Sequence, residues 1–143
     1  MNFSKSIEIE ASPKQVWEVM QDFSTWPDWT PTITKIEPLG IKSTGVGTRL
    51  RIEQPKLPPS VYIIIAWTDY EGFAMIKGNW FLKVTLLHEL KSTPKGTQVV
   101  LSVDFSGLFA STAARRYGAL MEEYLSLEAN GLKKQSESYS LHI

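Results

Sequence analysis

Cysteine is missing from this chain of 143 residues and histidine occurs only twice, which removes a good deal of chemistry at once. Without thiols there is no disulfide scaffold, no thiolate nucleophile and no cysteine-ligated metal, a usage that fits a reducing interior. His88 and His142 stand far apart and form neither an HxH nor an HxxxH pair, so no metal is expected, and no other cofactor. Net charge is absent too: 15 basic and 15 acidic side chains are spread along the chain, giving zero. With no basic block to neutralise phosphates, nucleic acid is not an expected partner. Long apolar runs are also lacking. Ile63-Ile64-Ile65-Ala66-Trp67 falls far below the ~20 residues a membrane helix needs, so stable membrane insertion is not expected. The opening Met1-Asn2-Phe3-Ser4-Lys5-Ser6-Ile7-Glu8 alternates polar and apolar residues, unlike a signal peptide, and the default expectation is a cytoplasmic protein.

What is present describes an ordinary globular chain. Hydrophobic residues at 43% and charged residues at 21% exclude disorder. The length fits one domain over residues 1–143, large enough to bury about two-thirds of its unfolded surface. Aromatic residues reach 11%, five of them Trp. Large aromatics line apolar ligand pockets, although they also fill the core of a twisted sheet.

The order of elements carries more. Residues 3–10 alternate as a strand with one wet face. Ser12, Pro13 and Gln15 then provide a helix cap, a first helical position and a third, and the helix runs to about Asp22 with Val16, Met20 and Phe23 on one face. Pro27 and Pro31 limit the next segment to a short helical turn or bend. Strand patterns follow at 32–38, 45–53, 60–69, 73–77, 80–91 and 97–105, separated by short connections such as Glu71-Gly72, Gly78-Asn79 and Pro94-Lys95-Gly96. The 60–69 strand is apolar on both faces for part of its length, as a covered central strand would be, and 80–91 places Trp80, Leu82, Val84, Leu86, His88 and Leu90 on one parity. Finally Ala113, Tyr117, Leu120, Met121, Tyr124, Leu125, Glu128 and Leu132 recur at helical spacing and mark one side of a long C-terminal helix. The expected fold class is α+β: a curved antiparallel seven-stranded sheet wrapped around that helix, two short helices after the first strand, and a lined hollow between sheet and helix.

This order resembles the helix-grip fold of the START-like (SRPBCC) superfamily, in particular its polyketide cyclase/dehydrase-like branch. The likeness rests on Ala11-Ser12-Pro13-Lys14-Gln15-Val16-Trp17-Glu18-Val19, on Asp22 with Trp29-Thr30-Pro31, on Gly47-Thr48, on Gly96-Thr97 with Phe105-Ser106-Gly107, and on Glu128-Ala129-Asn130-Gly131-Leu132-Lys133. These motifs span nearly the whole chain and are mostly structural. The resemblance implies a deep, largely apolar cavity, used in the superfamily for lipids, sterols, polyketides, hormones or aromatic compounds. Some relatives are cyclases or dehydratases, many bind or transport ligands, and others are chaperone-associated adaptors.

Candidate chemistry is sparse. His88 sits at an apolar-parity position, where it can serve as a general base; a hydrogen-bonded core histidine is favoured, because no carboxylate partner is evident. His142 belongs to the tail and is expected to be exposed. Asp69 and Glu71 form a rim pair or, more simply, a solvated turn. Arg49, Arg51 and Glu53 make an outer-face charge ladder, Asp104 faces outward, and Arg115-Arg116 is a solvated face or, less simply, a holder of an acidic head-group. The expected ligand-lining set is Trp26 and Trp29 from the bend, Trp67, Met75, Trp80 and Leu82 from the sheet, and Tyr117, Met121 and Tyr124 from the long helix. The leading expectation is a monomer or weak homodimer that binds an apolar or aromatic small molecule (a lipid, polyketide or similar), which needs a cavity of ~300 Å³. The alternative is a cyclase/dehydratase-type lyase or isomerase using His88 or a cavity Tyr for proton transfer. A second alternative, a protein–protein adaptor, requires an exposed apolar patch on the outer sheet face, against which Glu8, Glu10, Arg49, Arg51 and Lys83 stand.

Overall fold

In the computed structural model, which describes residues 1–40 and 44–140, the alternation at the amino end becomes strand β1 (Asn2–Ile9). Ser12 then starts helix α1 (Pro13–Gln21). Its side chain accepts a hydrogen bond from the Gln15 backbone at 3.3 Å while the Gln15 side chain accepts one from the Ser12 backbone at 3.3 Å, so the capping box is complete. A 3₁₀ turn (Phe23–Thr25) and the short helix α2 (Trp26–Trp29) follow. The remaining strands are β2 (Lys35–Leu39), β3 (Arg49–Glu53), β4 (Ser60–Thr68), β5 (Gly72–Gly78), β6 (Lys83–Thr93) and β7 (Gly96–Ser106). Helix α3 (Ala110–Ser140) is 31 residues long.

All seven strands join one antiparallel sheet in the order β1-β7-β6-β5-β4-β3-β2. From β2 to β7 it is a meander, and β1 returns to pair with β7, Asn2 opposite Asp104. The α+β helix-grip architecture is therefore as expected. Helix α3 lies against β1 and β7 with α1 beside it, and buries Ala113, Met121, Tyr124, Leu125, Ala129 and Leu132.

Most strand ends differ from the pattern by a residue or two, and three strand starts differ by more, each for a local reason. Residues 32–34 do not join β2, because the Thr30 and Thr32 hydroxyls bond each other at 2.9 Å and the Thr32 amide donates to Thr30 Oγ1. Such side-chain bonds compete with the ladder. Gly45 and Thr48 close a turn on themselves, so β3 begins at Arg49. Asn79 Oδ1 accepts from the Phe81 and Leu82 amides, which holds 79–82 in a turn and delays β6 to Lys83.

β4 corrects a further expectation. Tyr62 and Ile64 are buried, yet Val61, Ile63 and Ile65 are 42%, 41% and 47% exposed. The strand is covered on its inner face only, since β-branched residues favour the pleated backbone whether or not both faces are packed. Its outer residues stand beside Arg51 and Arg49, which lie opposite Val61 and Ile63. A second exposed apolar group gathers where two turns meet: Trp80 stacks on Phe81 at 3.8 Å, and the Phe109 amide donates to the Phe81 carbonyl at 2.8 Å.

The space between sheet and helix has a filled end and a hollow end. The filled end is aromatic: Trp17 meets Trp67 at 5.0 Å, and Phe73 meets both Phe23 and Trp67 at 5.5 Å. There α2 lies directly on α3. A Cβ at Gly131 would stand 1.9 Å from the Trp29 carbonyl oxygen, so only glycine permits that approach.

Candidate functional site

The hollow end encloses about 250 Å³, a little under the size anticipated from the sequence. Its floor is the inner parity of the central strands: Met75 from β5, Val84 and Leu86 from β6, and Leu101, Val103 and Phe105 from β7. Tyr117, Met121 and Leu125 form the roof, each one helical turn from the next on α3. The β3–β4 loop closes one side through Leu57 and Pro58, and the Tyr124 hydroxyl donates to the Pro55 carbonyl, tying that loop to the helix.

Acidic and basic side chains enter this apolar space at two places. At the inner end, beside the aromatic cluster, His88 Nε2 lies 2.9 Å from Glu128 Oε1, with both side chains largely withdrawn from solvent at 6% and 13% exposure. The His88 ring stacks on Phe73 at 4.5 Å and 13° and stands 5.4 Å from Trp26. With Nε2–H donated to the carboxylate, Nδ1 carries the lone pair, and it is buried without a partner among the described residues. The absence of a carboxylate partner expected for His88 is thus corrected. Its partner is Glu128, the one charged residue on the apolar stripe of the long helix. That position, a carboxylate three residues after Leu125 on the buried face, was the available signal.

The second polar place is the outer end. Lys77 follows Phe73 and Met75 on the inward parity of β5, with its ammonium 5.2 Å from the centre of the Tyr62 ring and its Nζ donating to Ser60 Oγ at 2.7 Å. Burial lowers the Lys77 pKa and raises that of the Tyr62 phenol, which stays neutral in the physiological range. The Tyr124 phenol is also pushed up, by burial first and by the Glu123 carboxylate second. Lys77 escaped the sequence reading, although an amine on an otherwise apolar parity was visible there.

Of the nine side chains expected to line the hollow, Trp26, Met75, Leu82, Tyr117, Met121 and Tyr124 do so. Three tryptophans do not. Trp29 is buried between Trp26 and α3, with its Nε1 lacking a partner among the described residues. A bulge between Ile64 and Ala66 turns Trp67 to the inner face, but at the filled end, where its Nε1 donates to Asp69 Oδ1 at 2.9 Å. Trp80 lies in the turn before β6 and is 70% exposed. The other candidates are surface features. Asp69 and Glu71 occupy a solvated turn, Arg51 pairs with Glu53 at 2.7 Å, and Arg115 and Arg116 are exposed. His142 lies outside the described residues. Among the described residues no helix is long and apolar enough to cross a membrane.

The family described as polyketide cyclase / dehydrase and lipid transport matches residues 1–137. No curated protein matches the chain. Among solved structures, a protein from Thermus thermophilus is similar over 98% of this chain and 99% of its own, at 16% identity and a TM-score of 0.76. A hypothetical protein from Helicobacter pylori is similar over 95% of this chain and 88% of its own, at 15% identity and a TM-score of 0.76. The Zhui aromatase/cyclase of a Streptomyces species is similar over 96% of this chain and 93% of its own, at 17% identity and a TM-score of 0.72. At these identities the likeness is one of fold.

Proposed function

The chain belongs to the polyketide cyclase/dehydrase and lipid transport family, and from that premise we propose that it binds an apolar or aromatic small molecule in the hollow between sheet and long helix. One observation carries the reading: about 250 Å³ stands open between the sheet and the long helix, lined mainly by apolar side chains. Native cores keep few voids larger than a water molecule. A space of this size leaves its apolar lining short of packing partners. A ligand supplies some of them. Benzene fits a cavity of roughly 150 Å³, so the space here suits a two-ring body or a short acyl chain rather than a sterol. The lining supports apolar burial at ~25 cal/mol per Å², with orientation left to the polar groups at the two ends.

Native mass spectrometry of freshly purified protein tests the reading directly, with a co-purified small molecule as the expected result. Met121→Trp is the companion variant, since an indole from the roof fills the space. The folded variant is expected to lose that molecule, and retention of full binding would place the ligand elsewhere.

The His88–Glu128 pair favours a second reading, proton transfer on a bound carbonyl compound. Glu128 orients the imidazole, and Nδ1 is the atom left to take a proton. The reaction class would be removal of a proton next to a carbonyl, the opening step of cyclisation or dehydration. Exchange of the α-protons of 2-tetralone in D₂O checks it by NMR. The wild-type protein should exceed the buffer rate and His88→Gln should not; a wild type no faster than buffer ends the enzymatic reading and leaves the binding one intact.

A further inference from the structure

An unpaired cation on the concave face calls for explanation. Lys77 occupies the position on β5 that a third apolar residue after Phe73 and Met75 would fill, and its side chain contributes to the wall of the hollow. Among the described residues no carboxylate pairs with it; its bond goes to the neutral Ser60 hydroxyl at 2.7 Å, and its other close neighbour is the face of Tyr62. Desolvating an ammonium without a counter-charge is unfavourable, and its lowered pKa expresses that cost. An anion delivered from outside would remove it. Glu128, the acidic side chain in the lining, is at the other end of the hollow. Phe73, which stacks on His88, and Lys77 are four residues apart on one strand, roughly 13 Å at ~3.3 Å per residue. The two ends are therefore electrostatically distinct, and an anion beside Lys77 is not opposed by Glu128.

We infer that Lys77 is the anchor for a carboxylate, so that the ligand of this hollow is an apolar acid whose body runs from Lys77 toward the His88–Glu128 pair. This rests on the cavity-binding reading and names the substrate class for it. The Tyr62 ring holds the ammonium in place, Ser60 takes one of its three donors, and two remain for a carboxylate. Gln54, in the same part of the lining, is occupied by the Thr32 carbonyl at 3.2 Å and helps fix the rim.

The test uses 2-naphthoate and octanoate, each against its neutral primary amide, with affinities measured by calorimetry on the full chain. The wild-type protein is expected to bind each acid about tenfold or more tighter than the matching amide, as a charge-assisted bond in a half-buried site allows. Lys77→Met, which keeps the length and apolar stem, should bring the acid and amide affinities together, and Lys77→Arg should keep the preference. Equal wild-type affinity for acid and amide overturns the anchor and leaves the cavity reading standing. Binding of none of the four probes counts against the cavity reading itself and takes this inference with it. The acid–amide comparison in the wild type decides the matter even if Lys77→Met fails to fold.

Discussion

A methyl group at position 131 has nowhere to go. Alanine is the better helix former by ~1 kcal/mol, yet the added Cβ would meet the Trp29 carbonyl at 1.9 Å. Gly131→Ala is therefore expected to destabilise the protein by about 1–3 kcal/mol, as forced overpacking does, and urea denaturation will read it. Glu128 makes the complementary case. Glu128→Ala strands a buried imidazole and should cost about 1–3 kcal/mol, while Glu128→Gln, which still accepts from Nε2–H, should cost less; equal losses would mean that the hydrogen bond contributes little. Both residues could be seen in the sequence, but not their roles. A glycine and a glutamate interrupt an otherwise regular apolar stripe, and periodicity alone treats both as exceptions. Pairing Glu128 with a histidine 40 positions earlier requires the strand and the helix to be superposed in space. Trp80 erred in the opposite direction: its parity was apolar, but Asn79 had already turned the chain, so parity no longer applied.

The elements themselves were largely legible. Their number, order and type follow from alternation, helical spacing and turn residues, while their ends moved wherever a side chain captured a backbone amide, at Thr30, Thr48 and Asn79. The start of α1 was the most readable of all, and Ser12→Ala should cost ~1 kcal/mol in thermal unfolding because the completed capping box is lost. The far end of α3 depends on charge. Lys133 donates to the Glu8 carbonyl at 2.8 Å and to Glu137 Oε2 at 2.6 Å, and that same oxygen accepts from the Glu10 amide at 2.8 Å. Burial alone would raise the Glu137 pKa; the bonds from Lys133 and Glu10 outweigh it and hold the carboxyl below its ordinary value. A carboxylate so lowered stabilises the folded state above its unfolded pKa, and that contribution disappears as pH falls through the folded one. Glu137→Gln should thus lower stability near neutral pH and converge with the wild type in acid, a difference measurable by urea titration at several pH values.

For the molecule as a whole, the hollow was implied by one long helix facing a curved sheet, but its volume was not, since volume depends on which aromatics withdraw to the filled end. Trp29 and Trp67 did so, packing against Trp26 and Phe73. A molecule that occupies the hollow stabilises the fold by mass action, ~2.7 kcal/mol at a hundred times its Kd, so saturating 2-naphthoate should raise the melting temperature by several degrees and Met121→Trp should abolish the rise. The sheet order has a separate consequence, for how the protein is made. Among the described residues β1 finds its ladder partner in β7, on the far side of the whole meander. The first of these strands to leave the ribosome must wait, with its ladder unmatched, until the last has followed. Assembly of this sheet is thus a late, long-range closure of the kind that slows folding, and mutations along β1 should act on the rate at which the finished chain seals rather than on the early hairpins.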